Sequence, residues 1–290
     1  MTQTYPVNSI HEVLRRAKEK LAEISPTPQL DAEVLLAHML RKRRSYLHTW
    51  PERELGSLQI STIETLIGNR YAGHPVAYLK GQRQFWSLDL DINPNVLIPR
   101  PETELLVELA LELIPEKGDW RVADLGTGSG AVAIALAHEH YTLQIDACDN
   151  CKLALATAEN NANKYSAKNI TFYLSDWFSN LPTQKYNIIL SNPPYIAEND
   201  PHLLGGDVRF EPIGALQSGN DGLDAIKTIS NDAPKHLEAN GYLIIEHGCT
   251  QADPVAGILA RHGFSKISAH SDLSGHLRAT TAQWIPTDNV

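Results

Sequence analysis

The chain has 290 residues, 42% of them hydrophobic, and carries a net charge of −9, from 25 Lys and Arg against 34 Asp and Glu. Such a composition suits a folded soluble protein with one large domain and a smaller companion, and the acidic balance argues against a partner held mainly through phosphate neutralisation. Three cysteines build no disulfide framework, the start MTQTYPVNSIHEVLRRAKEK has no apolar signal-type core, and no window is long enough to span a bilayer, so a cytoplasmic protein is expected.

Taken in chain order, the first segments are helical. SIHEVLRRAKEKLAEI follows a capping Asn8 or Ser9, QLDAEVLLAHMLRKRR carries apolar residues at helical spacing, and ISTIETLIGNRYAG ends on a glycine. Three short helices over residues 1–73 predict a small bundle. Residues 74–100 turn strand-like and proline-punctuated in FWSLDLDI and NVLIP, as in a hairpin connector. A new helix, PETELLVELALELI, is expected from Pro101.

From Arg121 onward short apolar runs end in small or polar residues: RVADLGTGSG, LQIDACD, ITFYLSD, YNIILSN and YLIIEHG. Helix-like AVAIALAHEH, KLALATAENNANKY and AIKTISNDAPKHLEA separate them, which predicts an α/β domain with a parallel sheet covered on both faces. The tail FSKISAHSDLSGHLRATTAQW is expected to close the sheet as a hairpin. Ligands of such sheets bind outside the carboxyl ends of the strands at the switch point.

Two features lie where that rule points. DLGTGSG, Asp124 to Gly130, places glycines at 126, 128 and 130 in a strand-to-helix turn, and the absence of Cβ atoms there lets a ligand reach the backbone. The spacing is G-x-G-x-G after an acid, where a dinucleotide turn would read G-x-G-x-x-G; a nucleoside carrying an amino acid fits better than a pyrophosphate. Asp149, about 20 residues on, is placed to accept from two ribose hydroxyls. Asp176 can accept from the adenine amine, and Trp177 offers a ring face. S-adenosyl-L-methionine is the cofactor these residues suit.

The second feature is Asn192-Pro193-Pro194-Tyr195, at the end of the apolar run YNIILSN. Prolines cannot continue a ladder, so main-chain carbonyls turn into the site. An Asn side-chain oxygen and the Pro193 carbonyl are two acceptors for a planar –NH₂ group, and Tyr195 can pack on its flat face. Amide and exocyclic amines are poor nucleophiles because their lone pairs are delocalised; holding both hydrogens raises reactivity and aims the nitrogen at a methyl.

DLGTGSG with NPPY resembles the amino-directed S-adenosylmethionine-dependent methyltransferases. LIPRPETELL, SDWF, SNPPYI, DVRFEP, SGNDGLDAI and DLSGHLR look like the HemK/PrmC family, the protein-(glutamine) methyltransferases that modify the GGQ glutamine of peptide-chain release factors. The resemblance covers essentially the full chain. It implies a seven-stranded Rossmann-like class I methyltransferase domain (residues 101–290), a hairpin connector (74–100) and an N-terminal helical substrate-docking domain (1–73). By position it assigns the cofactor to Asp124, Gly126, Thr127, Gly128, Ser129, Gly130, Asp149, Asp176, Trp177 and Asn192. Asn192, Pro193, Pro194 and Tyr195 would hold the glutamine amide, with Asn192, Pro193 and Tyr195 catalytic. Phe85 matches the aromatic that covers the glutamine, with Trp86 adjacent as the alternative; Arg100 lies on the segment leading into the site and Glu211 orders the loop after NPPY. The products would be S-adenosyl-L-homocysteine and methylglutamine.

Other readings are fewer. No metal is expected: Cys148 and Cys151 in CDNC lack a second pair, and the 12 histidines show no ligating spacing. RKRRSYL, Arg41 to Leu47, reads as a solvated helix end or as a basic face docking the release factor. A ribosomal-protein glutamine or a nucleic-acid base amine is the rival substrate, although no basic recognition domain supports direct nucleic-acid binding. A cofactor-binding regulator without catalysis is the rival of another class.

Overall fold

The computed structural model describes residues 5–115 and 118–286. They form two compact units, one ending at Gly81 and one beginning at Gln82.

In the first unit, α1 (Ile10–Leu21) starts at Ser9, whose Oγ accepts from the Glu12 N–H at 3.3 Å. α2 (Pro28–Leu40) stops where Arg41 takes a left-handed conformation, φ 53°. The basic run therefore straddles a turn, and Arg44 opens a further short helix, α3 (Arg44–Thr49). α4 (Ser57–Tyr71) follows, and α5 (Val76–Lys80) carries the helical unit beyond residue 73. Neither α3 nor α5 was expected, because six and five residues are too few for an apolar stripe to show its period. Ile10, Leu14, Leu21, Leu35, Leu36, Leu47, Ile63 and Ile67 close the core. Inside it Arg70 Nε donates to Asp31 at 2.7 Å, and Ser25 Oγ donates to the same oxygen at 2.8 Å.

The second unit opens with a hairpin, β1 (Gln82–Phe85) against β2 (Leu88–Asp91), joined by Trp86 and Ser87 at φ 50° and 63°. Two consecutive positive φ values match the right-handed twist of a two-residue turn. NVLIP, expected as a strand, is irregular: Pro94 and Pro99 bracket it and remove the N–H groups a ladder needs. A 3₁₀ turn at Pro101–Thr103 leads into α6 (Glu104–Leu113).

The sheet contains β3 (Arg121–Leu125), β4 (Gln144–Asp149), β5 (Ile170–Leu174), β6 (Tyr186–Ser191), β7 (Leu237–Glu246), β8 (Phe264–Ser271) and β9 (Leu277–Trp284). Their order is β5-β4-β3-β6-β7-β9-β8, parallel except where the tail hairpin β8–β9 runs antiparallel. β3 and β6 are neighbours, so the chain reverses its winding between them. Alternate strand residues serve opposite faces. Val122, Ile188 and Leu190 pack with α6 and α7 (Ala131–Glu139); Ala123, Leu125, Ile189 and Leu243 pack with α9 (Asp224–Asp232) and α10 (Ala252–Arg261). α10 was not anticipated. α8 (Lys152–Lys164) connects β4 to β5.

Gly130 corrects one expectation about the glycine turn. A Cβ there would stand 2.8 Å from the end of Ile134 and 3.2–3.3 Å from Ala158, at φ +83°, so this glycine serves the packing of α7 on α8 and not ligand access. Gly128, at φ +58°, has nothing within 4 Å of such a Cβ. Gly130→Ala is expected to cost about 2 kcal/mol or more, from overpacking and backbone strain together. Gly128→Ala should cost about 1 kcal/mol from its backbone alone. Urea midpoints of the two variants measure the difference.

Candidate active site

The carboxyl ends of β3, β4 and β6 meet the loop after β5 around a cavity of about 310 Å³. Gly126, Gly128, Asp149, Asp176, Trp177 and Asn192 all line it. This size falls in the range of small-molecule sites.

Asp124, next to last in β3, is 3% exposed; Thr127 Oγ1 donates to its Oδ2 at 2.6 Å. Burial pushes its carboxyl up to about 6, against the pull of that hydroxyl. It braces the turn from beneath. Thr127 and Ser129 are also buried, and the Ser129 carbonyl accepts from Asn161 Nδ2 at 2.9 Å. Asn161, wholly buried on α8, also bonds both main-chain groups of Asp91, tying hairpin, helix and turn together. Nothing in its local sequence singled it out, because the role exists only across three distant segments.

Asp149 ends β4. Its Oδ2 accepts from the Gly128 N–H at 3.0 Å and its Oδ1 from the Cys151 N–H at 2.8 Å. Burial raises its pKa and the backbone donors oppose that. The carboxylate is thus oriented by the main chain with lone pairs left for further donors. Asp176 lies two residues past β5 and is exposed. Trp177, at φ 47°, has its ring 3.5 Å from where a Gly126 Cβ would be. A flat group fits beside that ring, and an acceptor pair suits a diol at Asp149. Among the described residues no group of three or more His, Cys, Asp or Glu could hold a metal ion.

Asn192 follows β6, half-buried, with its Nδ2 donating to Thr103 Oγ1 at 3.1 Å. Pro194 lines the cavity, whereas Pro193 is buried. The Tyr195 hydroxyl donates to Glu246 Oε1 at 3.3 Å, and its carbonyl accepts from Gln251 Nε2 at 3.1 Å. Backbone bonds from Ile196 to Leu216 and from Ser218 to Ile196 strap the segment down. Gly222 comes so close that a Cβ would stand 2.3 Å from the Tyr195 carbonyl.

Arg100 is paired with Glu211, whose other oxygen accepts from the Ile98 N–H at 2.9 Å. That fixes the loop of residues 97–100 to the loop after NPPY, and Glu211 is itself 6% exposed. Phe85 is corrected: it is 1% exposed, packed with Leu88, Leu106 and Val107, and has no ring face open to a substrate. Trp86 is half-buried, its N–H groups held by Glu104 and Glu139. Two segments that line the cavity were missed, Asn95–Leu97 in irregular backbone and Pro212–Ala215, where three residues form a 3₁₀ turn too short to show a period.

Glu246, which ends β7, was also missed. It is 2% exposed, and burial pushes its carboxyl up to about 7 although Thr103 and Tyr195 favour the charged form. The folded pKa lies above the ordinary 4.5, so this group's contribution to stability is full below about 4.5 and is lost as pH rises through about 7. The loss is on the order of 3 kcal/mol. Glu246→Gln is expected to be more stable than the parent above neutral pH and to show a flatter pH dependence, measured by thermal unfolding.

Residues 12–81 match the family described as PrmC N-terminal domain, and residues 102–204 match that described as Methyltransferase small domain. A release factor glutamine methyltransferase of Coxiella burnetii is 44% identical over 275 residues, 95% of this chain and 99% of its own. One from Vibrio cholerae is 46% identical over 281 residues, 95% and 97% of the two chains. Among solved structures, a methyltransferase from Pyrococcus furiosus superposes with TM-score 0.52 at 15% identity, over 77% of this chain and 98% of that one. The Thermus thermophilus 16S rRNA N2 G1207 methyltransferase, in complex with AdoMet and guanosine, gives TM-score 0.51 at 17% identity, over 70% and 49%. At such identities the likeness is one of fold. With 44–46% identity to these relatives over 95% of its length, the chain belongs to the release factor glutamine methyltransferase family.

Proposed function

We propose that this chain transfers a methyl group from S-adenosyl-L-methionine to the side-chain amide nitrogen of the glutamine in the GGQ motif of peptide-chain release factors. The observation that carries the reading is the placing of Asn192. It shares one cavity with the glycine turn, Asp149 and Trp177, and its –NH₂ end is spent on Thr103, which leaves its oxygen as an acceptor for an incoming amide. The bound cofactor supplies an electrophilic methyl. The chain holds the adenosine at Asp149, Asp176 and Trp177, and Asp124 with Gly126 through Ser129 forms the wall beside the amino-acid part. Asn192 and the Pro193 carbonyl orient the glutamine –NH₂, and rigid prolines with a strapped Tyr195 keep those acceptors from relaxing. Such a site raises the rate by orientation and electrostatics. The N–C bond forms as the S–C bond breaks, and S-adenosyl-L-homocysteine, methylglutamine and the proton lost from the amide nitrogen leave.

Incubation with labelled methyl donor and, separately, release factor, ribosomal protein, DNA and RNA tests the reading. Label on the release-factor glutamine is expected. Label on a nucleic acid or on a ribosomal protein alone would overturn it.

The helical unit is assigned to docking of the substrate protein. Arg41 and Arg43 are exposed, whereas Arg44 donates to Glu33 at 2.6 Å and supports the fold. The double substitution Arg41→Glu with Arg43→Glu is expected to raise KM for intact release factor about five- to tenfold with kcat unchanged. An unchanged KM would remove the docking role of that run.

A further inference from the structure

The acceptors proposed for the glutamine –NH₂ orient it only if the backbone of Asn192 to Tyr195 cannot turn, and Pro193 and Pro194 fix no more than their own φ angles. We infer that Gln251, in the corner between β7 and α10, is a positioning residue that locks the far end of this segment: its side chain holds the peptide plane between Tyr195 and Ile196, and with it the direction of the Pro193 carbonyl. The inference rests on the methyl-transfer reading above and deepens it.

The near end is fixed by the sheet. Ser191 is paired with Leu125 and Ile245, and its Oγ donates to the Leu125 carbonyl at 2.8 Å. At the far end the peptide between Tyr195 and Ile196 is held from both sides. The Ile196 N–H donates to the Leu216 carbonyl at 2.8 Å, and the Tyr195 carbonyl accepts from Gln251 Nε2 at 3.1 Å. The Gln251 amide has one orientation, because its Oε1 accepts at 2.8 Å from the Gly248 N–H, a group that can only donate. The –NH₂ end must then face Tyr195, and it reaches the Asp221 carbonyl as well, at 3.4 Å. One side chain thus ties the corner after β7 to both loops beside the NPPY segment. With both ends of that segment anchored and two φ angles set by proline rings, few torsions are left through which the Pro193 carbonyl could swing.

The corner itself is held in place. The Gln251 N–H donates to the Gly248 carbonyl at 2.9 Å, and the buried His247 ring places Nδ1 at 2.9 Å from the same oxygen. A carbonyl only accepts, so Nδ1 carries the proton; burial keeps the ring neutral, and Nε2 accepts from the Thr280 hydroxyl of β9 at 2.9 Å. Two glycines make room for the amide: a Cβ on Gly248 would stand 3.0 Å from Gln251 Oε1, and one on Gly222, at φ +73°, 2.9 Å from Gln251 Nε2. Gln251 does not line the cavity, so its effect on turnover runs through Tyr195.

Two substitutions test this. Gln251→Met keeps the length and removes the hydrogen bonds, whereas Gln251→Glu keeps the shape and sets an acceptor against two carbonyls. Both are expected to lower kcat on release factor about ten- to hundredfold near neutral pH, with S-adenosyl-L-methionine affinity within about threefold of the parent by calorimetry. They differ in pH dependence. The introduced carboxyl, whose charged form the two carbonyls disfavour, titrates above about 4.3, and once protonated it can donate to Tyr195 again. The kcat of Gln251→Glu is taken as a ratio to the parent's, so that titrations common to both, such as those of Glu246, Tyr195 and His247, cancel. That ratio should rise several-fold as pH falls toward about 5, while the ratio for Gln251→Met stays flat. Lost packing alone would leave both flat. In the protein without substrate, the Ile196 amide signal should move in NMR spectra of Gln251→Met while those of Gly126 and Gly128 stay in place. Turnover by Gln251→Met equal to the parent's, flat ratios for both variants, or an unmoved Ile196 signal would overturn the inference. A parent that methylates no release factor, with Ile196 still displaced in Gln251→Met, would instead sink the proposed substrate and leave the lock on Tyr195 standing.

Discussion

Asn192→Ala is expected to lower kcat for glutamine methylation by roughly 10²–10³-fold, the usual cost of removing one preorganised polar contact to the reacting group. The side chain is half-buried and, among the described residues, bonds to Thr103, so its removal should cost only about 1 kcal/mol of stability. Cofactor affinity should stay within about threefold, because the glycine turn, Asp149 and Trp177 are untouched. Kinetics at saturating cofactor, with calorimetry for its binding, separate the two quantities. Turnover close to that of the parent would remove Asn192 from the reaction.

Asp149→Asn is expected to act on the other quantity. The carboxylate uses one oxygen on the Gly128 N–H and one on the Cys151 N–H, and its remaining lone pairs face the cavity. An amide can satisfy only one of those main-chain donors, since its –NH₂ end would meet an N–H. Hydrogen bonds to a charged acceptor contribute about 1.5–3 kcal/mol each, so losing the pair proposed for the ribose should weaken cofactor binding roughly 10²–10³-fold. Titration calorimetry of the protein without substrate measures this directly. Affinity within about fivefold of the parent would place the ribose elsewhere. At saturating cofactor, kcat should fall far less than in Asn192→Ala, because the role proposed for Asp149 is to hold the ribose and not the reacting nitrogen.

Much of this architecture was legible beforehand, and the reasons are local. β3, β4 and β6 are short apolar runs buried on both faces, and each ends where a polar residue meets the cleft, so DLGTGSG, Asp149 and Asn192 announced both their strands and their ends. Less was legible where period is absent. α3 and α5 are too short to show a stripe, α10 is interrupted by Pro254 and Gly257, and NVLIP looked like a strand only until its prolines were given their due. Phe85 misled because an aromatic beside a site looks the same in sequence whether its ring faces the cavity or the core.

The chain by itself determined the fold class, the glycine turn after β3 and the NPPY segment after β6, because these depend on spacing within ten residues or on the order of strands. Only the tertiary structure decided what each motif rests on. Thr103, Asn161, Glu211, Glu246 and Gln251 lie between 32 and 113 residues from the groups they hold, and burial across those distances is what makes their hydrogen bonds unavoidable. Gly130 makes the same point in small: its place in a motif named it as part of the ligand turn, and the neighbouring Ile134 and Ala158 made it a packing residue.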